Sequence, residues 1–137
     1  MSMDFQARVE EAASALATTA RFETFDEDDV EATLEIAVEP GRHQGVTLAP
    51  DHSEGVSFLR VTTTVGESRG LDGEQLRKLM VLNSSLLYGT FAISDGALVL
   101  TGTVEVEAST AHLAKCIEVI ARKGDQFQKM FFGHDRH

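Results

Sequence analysis

Val30-Glu31-Ala32-Thr33-Leu34-Glu35-Ile36-Ala37-Val38-Glu39 is the stretch that decides the fold class. Val30, Ala32, Leu34, Ile36 and Val38 occupy every second position, with Glu31, Thr33, Glu35, Ala37 and Glu39 between them. Side chains alternate across a strand, so one face of this one is apolar and the other is wet and acidic. The pattern marks an antiparallel sheet covered on one side, because a parallel strand is buried on both faces and reads as a continuous apolar run. Pro40-Gly41 closes the strand with a turn.

Working toward the C-terminus, a short strand is predicted over residues 45–49. Pro50-Asp51-His52-Ser53-Glu54-Gly55 reads as a loop, and a further strand as residues 56–65. Leu59, Val61, Thr63 and Val65 form its inner face, which turns Phe58 outward beside Arg60 and Thr62. Asp72 is a natural helix N-cap with Gln75 at the third helical position, as in a capping box. That helix is predicted to run to about Leu87, with Leu76, Leu79, Met80, Asn83, Leu86 and Leu87 in a broad stripe. Val81 and Leu82 fall on the far side, which suggests a second contact surface. Asp95-Gly96 signals a two-residue hairpin turn. It pairs Ile93 with Leu98 and Phe91 with Leu100 on one face, which Val104 and Val106 continue, and it puts Val99 and Ala92 on the other.

A last helix begins at Ser109 or Thr110. Leu113, Cys116, Ile117, Ile120, Gly124, Phe127 and Phe131 form its apolar seam, and a kink is allowed at Gly124, where glycine costs about 1 kcal/mol relative to alanine. Toward the N-terminus, Phe5, Val9, Ala12, Leu16 and Ala20 make a thin stripe on a helix over residues 3–20. The element order is α-β-β-β-α-β-β-α. The expected fold is α+β, a twisted antiparallel sheet with helices packed on one face. One domain covers residues 1–133, and residues 134–137 form a flexible tail.

Charge and composition narrow the function classes. The chain has 137 residues and a net charge of −10, from 22 acids and 12 bases. Residues 1–70 hold 14 acids and 5 bases, whereas residues 71–137 hold 8 and 7. Duplex binding depends on Lys and Arg meeting phosphates, so nucleic acid is an unsuitable partner, and an anionic membrane surface is equally disfavoured. The single cysteine, Cys116, permits no internal disulfide, and the N-terminus shows no signal-peptide pattern; cytoplasmic localisation is the expectation. Eight acids between Arg21 and Arg42, with no base among them, read as a solvated face or as a surface that steers a basic partner. Asp26-Glu27-Asp28-Asp29 lacks the alternating oxygens and the glycine of an EF-hand loop.

No catalytic residue set emerges. Asp51-His52-Ser53 has the residue types of a hydrolase triad, but adjacent residues cannot orient one another in that way. His134, Asp135 and His137 form a poor metal scaffold on a loose end, and His43 and His52 lack further ligands. Cys116 lies in a core stripe and reads as a small buried hydrophobe. The expectation is therefore no enzyme activity, no cofactor and no metal. What remains is surface: Phe58 and Val99 on the outer sheet face, Met80, Val81 and Leu82 on the second helix, and Phe131 and Phe132 at the end of the last helix. These seven are the candidate dimer or partner interface. An open sheet also leaves edge strands that accept an added strand.

The stretch LMVLNSSLLYGTFAISDGALVLTG, from Leu79 to Gly102, combines a helix ending in Leu-Asn, an aromatic near its end and an acidic-turn hairpin; a long final helix follows. It resembles the YbjN-like proteins, whose fold matches that of the CesT-like class I type III secretion chaperones. The resemblance implies a homodimer with the second helix in the contact. It further implies an activity of binding a segment of a client or partner protein, or a stress or signalling regulatory role with no secretion client. No catalytic residues are implied by it.

Overall fold

A computed structural model describes residues 2–26 and 29–133. Helix α1 (Ser2–Ala15) leads into four successive strands, β1 (Arg21–Asp26), β2 (Asp29–Glu39), β3 (Arg42–Ser53) and β4 (Val56–Glu67). A single 3-10 turn (Ser68–Gly70) precedes α2 (Gly73–Asn83), and β5 (Thr90–Ser94), β6 (Ala97–Glu105) and α3 (Thr110–Phe132) complete the chain. The six strands form one antiparallel sheet in the order β1-β2-β3-β4-β6-β5. The α+β expectation holds, with one strand more than the sequence suggested.

That extra strand is β1. It escapes a period-2 reading because Phe22 and Phe25 are three residues apart, and the pairing with β2 slips between Thr24 and Asp26. The irregularity leaves Phe25 exposed while Phe22 meets Phe5 of α1 edge-on at 6.2 Å. The first helix ends at Ala15, five residues before the predicted 20, and β1 takes up residues 21–26, for which the sequence pattern predicts no element.

The loop predicted over residues 50–55 is also a correction. Strand β3 continues through Pro50, Asp51 and His52 to Ser53 and turns at Glu54-Gly55, both with positive φ. Pro50 is tolerated because the β2 pairing ends at Ala32–Leu48, so no ladder bond is asked of its missing N–H. Helix α2 is shorter than its apolar stripe. Its capping box forms as read, with Asp72 and Gln75 exchanging hydrogen bonds of 2.8 and 3.0 Å, but it stops at Asn83. There the Ser84 and Ser85 hydroxyls donate to the carbonyls of Val81 and Leu82, offering the backbone an alternative to another turn.

The core lies between the inner sheet face and α1 and α3. Leu34, Val46, Leu48, Leu59, Val61, Val65, Leu98 and Leu100 meet Val9, Leu113, Ile117 and Ile120, all essentially without solvent contact. Helix α3 runs unbroken through Gly124, where the sequence had allowed a kink. A Cβ there would lie 2.4 Å from Cγ2 of Thr63, so this glycine lets the helix settle on the sheet. Beneath it a small polar node is closed: Gln44 donates to the Thr63 hydroxyl (2.8 Å) and to the Thr64 carbonyl (3.1 Å), and the Thr63 hydroxyl donates to the Gly45 carbonyl (2.7 Å).

Two polar clamps fix the helices. The Arg8 guanidinium of α1 donates to the carbonyls of Val106 and Ala108 and to the Thr110 hydroxyl, tying α1 to the start of α3. Asp125, buried on α3, pairs with Arg42 at the β2–β3 turn; Lys129 approaches Asp125 at 3.7 Å and Glu39 at 3.3 Å.

Candidate interaction surface

The hairpin register is the predicted one: Ser94–Ala97, Ile93–Leu98, Ala92–Val99 and Phe91–Leu100. Exposure does not follow register, however. Ile93 shares the inner face yet is 55% exposed, because β5 is the sheet edge and α3 reaches it at Phe91, which meets Phe127 at 4.8 Å, rather than at Ile93. Val99, offered as an outer-face contact residue, is instead buried, with Thr64 and Ala92 beside it on the neighbouring strands. Phe58 does face outward, half-buried, with the Arg60 guanidinium 5.4 Å above its ring.

The remaining candidates divide. Met80 and Val81 are 70% and 65% exposed, but Leu82 is partly buried against the core. Phe131 and Phe132 also pack inward: Phe131 lies 6.3 Å from Phe127, and the Phe132 ring occupies the space where Gly66 has no side chain. Sequence reading missed the exposure of Leu76, Leu87 and Ile93. Leu87 had been placed in the helix stripe, and the serines that end α2 early were the available signal. Of the eight large apolar side chains exposed among the described residues, five (Leu76, Met80, Val81, Leu87 and Ile93) belong to α2, the segment after it and β5. Arg77 and Lys78 stand among them.

Strand β5 is guarded at one point. The Phe91 N–H donates to Oδ1 of Asn83 at 2.7 Å, and the Asn83 amide donates back to the Phe91 carbonyl at 3.4 Å. A side-chain amide at the end of α2 thus fills the hydrogen-bonding slot that a neighbouring strand would take. The outer sheet face is different in kind. Thr33, Thr47, Thr62, Thr101 and Thr90 stand in register across five adjacent strands, with the Thr62 and Thr101 hydroxyls 2.8 Å apart. Cross-strand threonine pairs stabilise a sheet and keep the face polar.

The reactive residue types do not converge. Asp51 and His52, neighbours on β3, point to opposite faces. Asp51 receives Arg60 at 3.3 Å, while His52 Nδ1 lies 3.2 Å from the Ser57 hydroxyl and Ser53 pairs with Val56. The Asp51 carboxyl is held below its usual range, first by the His52 N–H and then by Arg60. Among the described residues no three of His, Cys, Asp and Glu stand together as metal ligands. His134, Asp135 and His137, like Glu27 and Asp28, lie outside the described residues.

Cys116 is buried, and burial pushes its thiol up to about 11. Its unfolded thiol ionises near 9.0, so the unfolded chain loses that proton first. The stability contributed by the neutral folded thiol is present below pH 9 and is lost as pH rises from 9 to 11. The loss reaches about 3 kcal/mol when complete. Urea titrations at pH 8 and pH 11 should show Cys116→Ala losing less stability than the native chain; equal losses would contradict this account.

No described helix is long and apolar enough to cross a membrane. Compared with known proteins, the chain matches no protein-family model and no curated protein.

Proposed function

We propose that this chain is a non-catalytic protein-binding module, chaperone-like in fold and cytoplasmic, that works as a homodimer through α2 and β5. The observation that carries the reading is the grouping of Leu76, Met80, Val81, Leu87 and Ile93 in one region, all exposed. Single surface apolar residues are ordinary, but a grouped set marks a contact surface. A two-fold contact sets the same patch against itself, which an apolar surface tolerates and a strongly charged one does not. The acidic β1–β2 side, with Glu23, Asp26, Asp29 and Glu31, stays outside this contact and steers basic partners. The α-β-α order and the long final helix support the chaperone-like resemblance, with β1 as an addition to it.

Light scattering after size exclusion at micromolar concentration should give twice the chain mass. Met80→Lys with Val81→Lys should raise the dissociation constant at least a hundredfold, which corresponds to about 2.7 kcal/mol over two central contacts, and leave the circular dichroism spectrum unchanged. A native chain that runs as a monomer would refute the reading.

A further inference from the structure

Strand β6 is paired along its whole length on one side and only in part on the other. On the β4 side the register runs from Ala97 to Glu105, but on the β5 side it stops at Thr101. Antiparallel strands alternate residues whose main chain faces one neighbour with residues whose main chain faces the other. Phe91 turns its N–H and C=O away from β6 to Asn83, so Thr90 and Ala92 face β6 and meet Thr101 and Val99. By the same alternation Thr103 and Glu105 turn their main chains to the side where β5 has ended. The Glu105 carbonyl is taken by the Ala108 N–H at 3.0 Å. The N–H and C=O of Thr103 and the N–H of Glu105 face the open side.

Two clefts meet there, sharing Thr103. One, of about 410 Å³, lies between residues 83–90 and Arg60, Thr101 and Cys116. The other, of about 530 Å³, follows Val104, Glu105, Glu107, Ala108 and His112. Together they form a slot along the unpaired side of β6. Its exposed carboxylates, Glu105 and Glu107, form no ion pair among the described residues, whereas the cations near it are engaged: Arg60, the cross-strand neighbour of Thr103, binds Asp51 and lies over Phe58, and Arg8 donates to the Val106 and Ala108 carbonyls and pairs with Glu11.

We infer that this slot takes a short extended segment of a basic partner polypeptide, added as a strand in line with β5. The inference deepens the protein-binding reading above and rests on it. Main-chain bonds to Thr103 and Glu105 supply the register. Side chains of the guest that lie beside Thr103 and Glu105 meet carboxylates, which selects Lys or Arg. Side chains beside Val104 face Ala108 and the α3 start, which selects small apolar residues. The guest therefore alternates basic and β-branched positions.

The probe is acetyl-Lys-Val-Lys-Val-Lys-amide, with acetyl-Glu-Val-Glu-Val-Glu-amide as its opposite. In nitrogen–proton NMR spectra the lysine peptide should shift the Thr103 and Glu105 amides and slow their exchange, and the glutamate peptide should not. Thr103→Pro should abolish binding while leaving the melting temperature near that of the native protein, because the lost N–H faces no strand of the fold. Glu105→Lys with Glu107→Lys should weaken binding about tenfold. Equal binding of the two peptides, or unchanged binding by Thr103→Pro, would overturn the inference. So would shifts confined to α2. Met80→Lys with Val81→Lys leaves the slot intact, so loss of the dimer and loss of peptide binding are read separately.

Discussion

Gly124→Val should lower the unfolding free energy by about 3 kcal/mol, at the upper end of overpacking costs. The β-carbon alone would sit 2.4 Å from the Thr63 methyl, and Thr63 is held in turn by Gln44 and the Gly45 carbonyl. The milder Gly124→Ala sets two effects against each other. Alanine gains about 1 kcal/mol in helix propensity, but the buried contact costs about 1–3 kcal/mol. A net loss is expected in the native background. Thr63→Ser removes the methyl and keeps the hydroxyl, and in that background Gly124→Ala should become neutral or stabilising. Urea denaturation of the four proteins gives the coupling between the two sites. A Gly124→Ala variant that is more stable than the native chain would show that the helix is not held at this distance by its glycine.

Arg42→Met should cost about 3 kcal/mol, since it leaves the buried Asp125 carboxylate with only Lys129, at 3.7 Å, as a cationic neighbour. The double variant Arg42→Met with Asp125→Leu should recover most of that loss, because an apolar pair incurs no desolvation penalty. The two denaturation midpoints decide the matter. A single variant as stable as the native chain would mean that the pair is solvated in solution. A double variant no better than the single would mean that the loss comes from packing rather than from the stranded charge.

Sequence reading performed best where one physical signal dominated. The alternation of β2, the Asp72–Gln75 capping box and the Asp95-Gly96 register were legible because each is local, and each is present in the structure. Strand β1 was hidden because a pairing irregularity breaks the period of Phe22 and Phe25. Strand β3 was cut short because Pro50 reads as a breaker unless the end of its neighbour is known. The surface was harder. Val81 is legible from helical geometry, but Leu82, Val99, Phe131 and Phe132 are packed within the fold, and Met80, which the same geometry puts in the apolar stripe, is exposed. Burial depends on strand order and on glycines such as Gly66, which no local pattern reports. Ile93 shows the converse: a correct inner-face assignment does not bury a side chain at the rim of the sheet.

The first helix is anchored on the last. Arg8 grips the segment that opens α3, and the inner surfaces of β2, β3, β4 and β6 wait for that 23-residue helix to cover them. During synthesis the sheet strands leave the ribosome well before their lid does. A nascent chain halted before Thr110 carries a naked apolar floor and an unattached leading helix. Closure of this core thus waits for α3, and the interval before α3 emerges is the time when holding factors have most to protect.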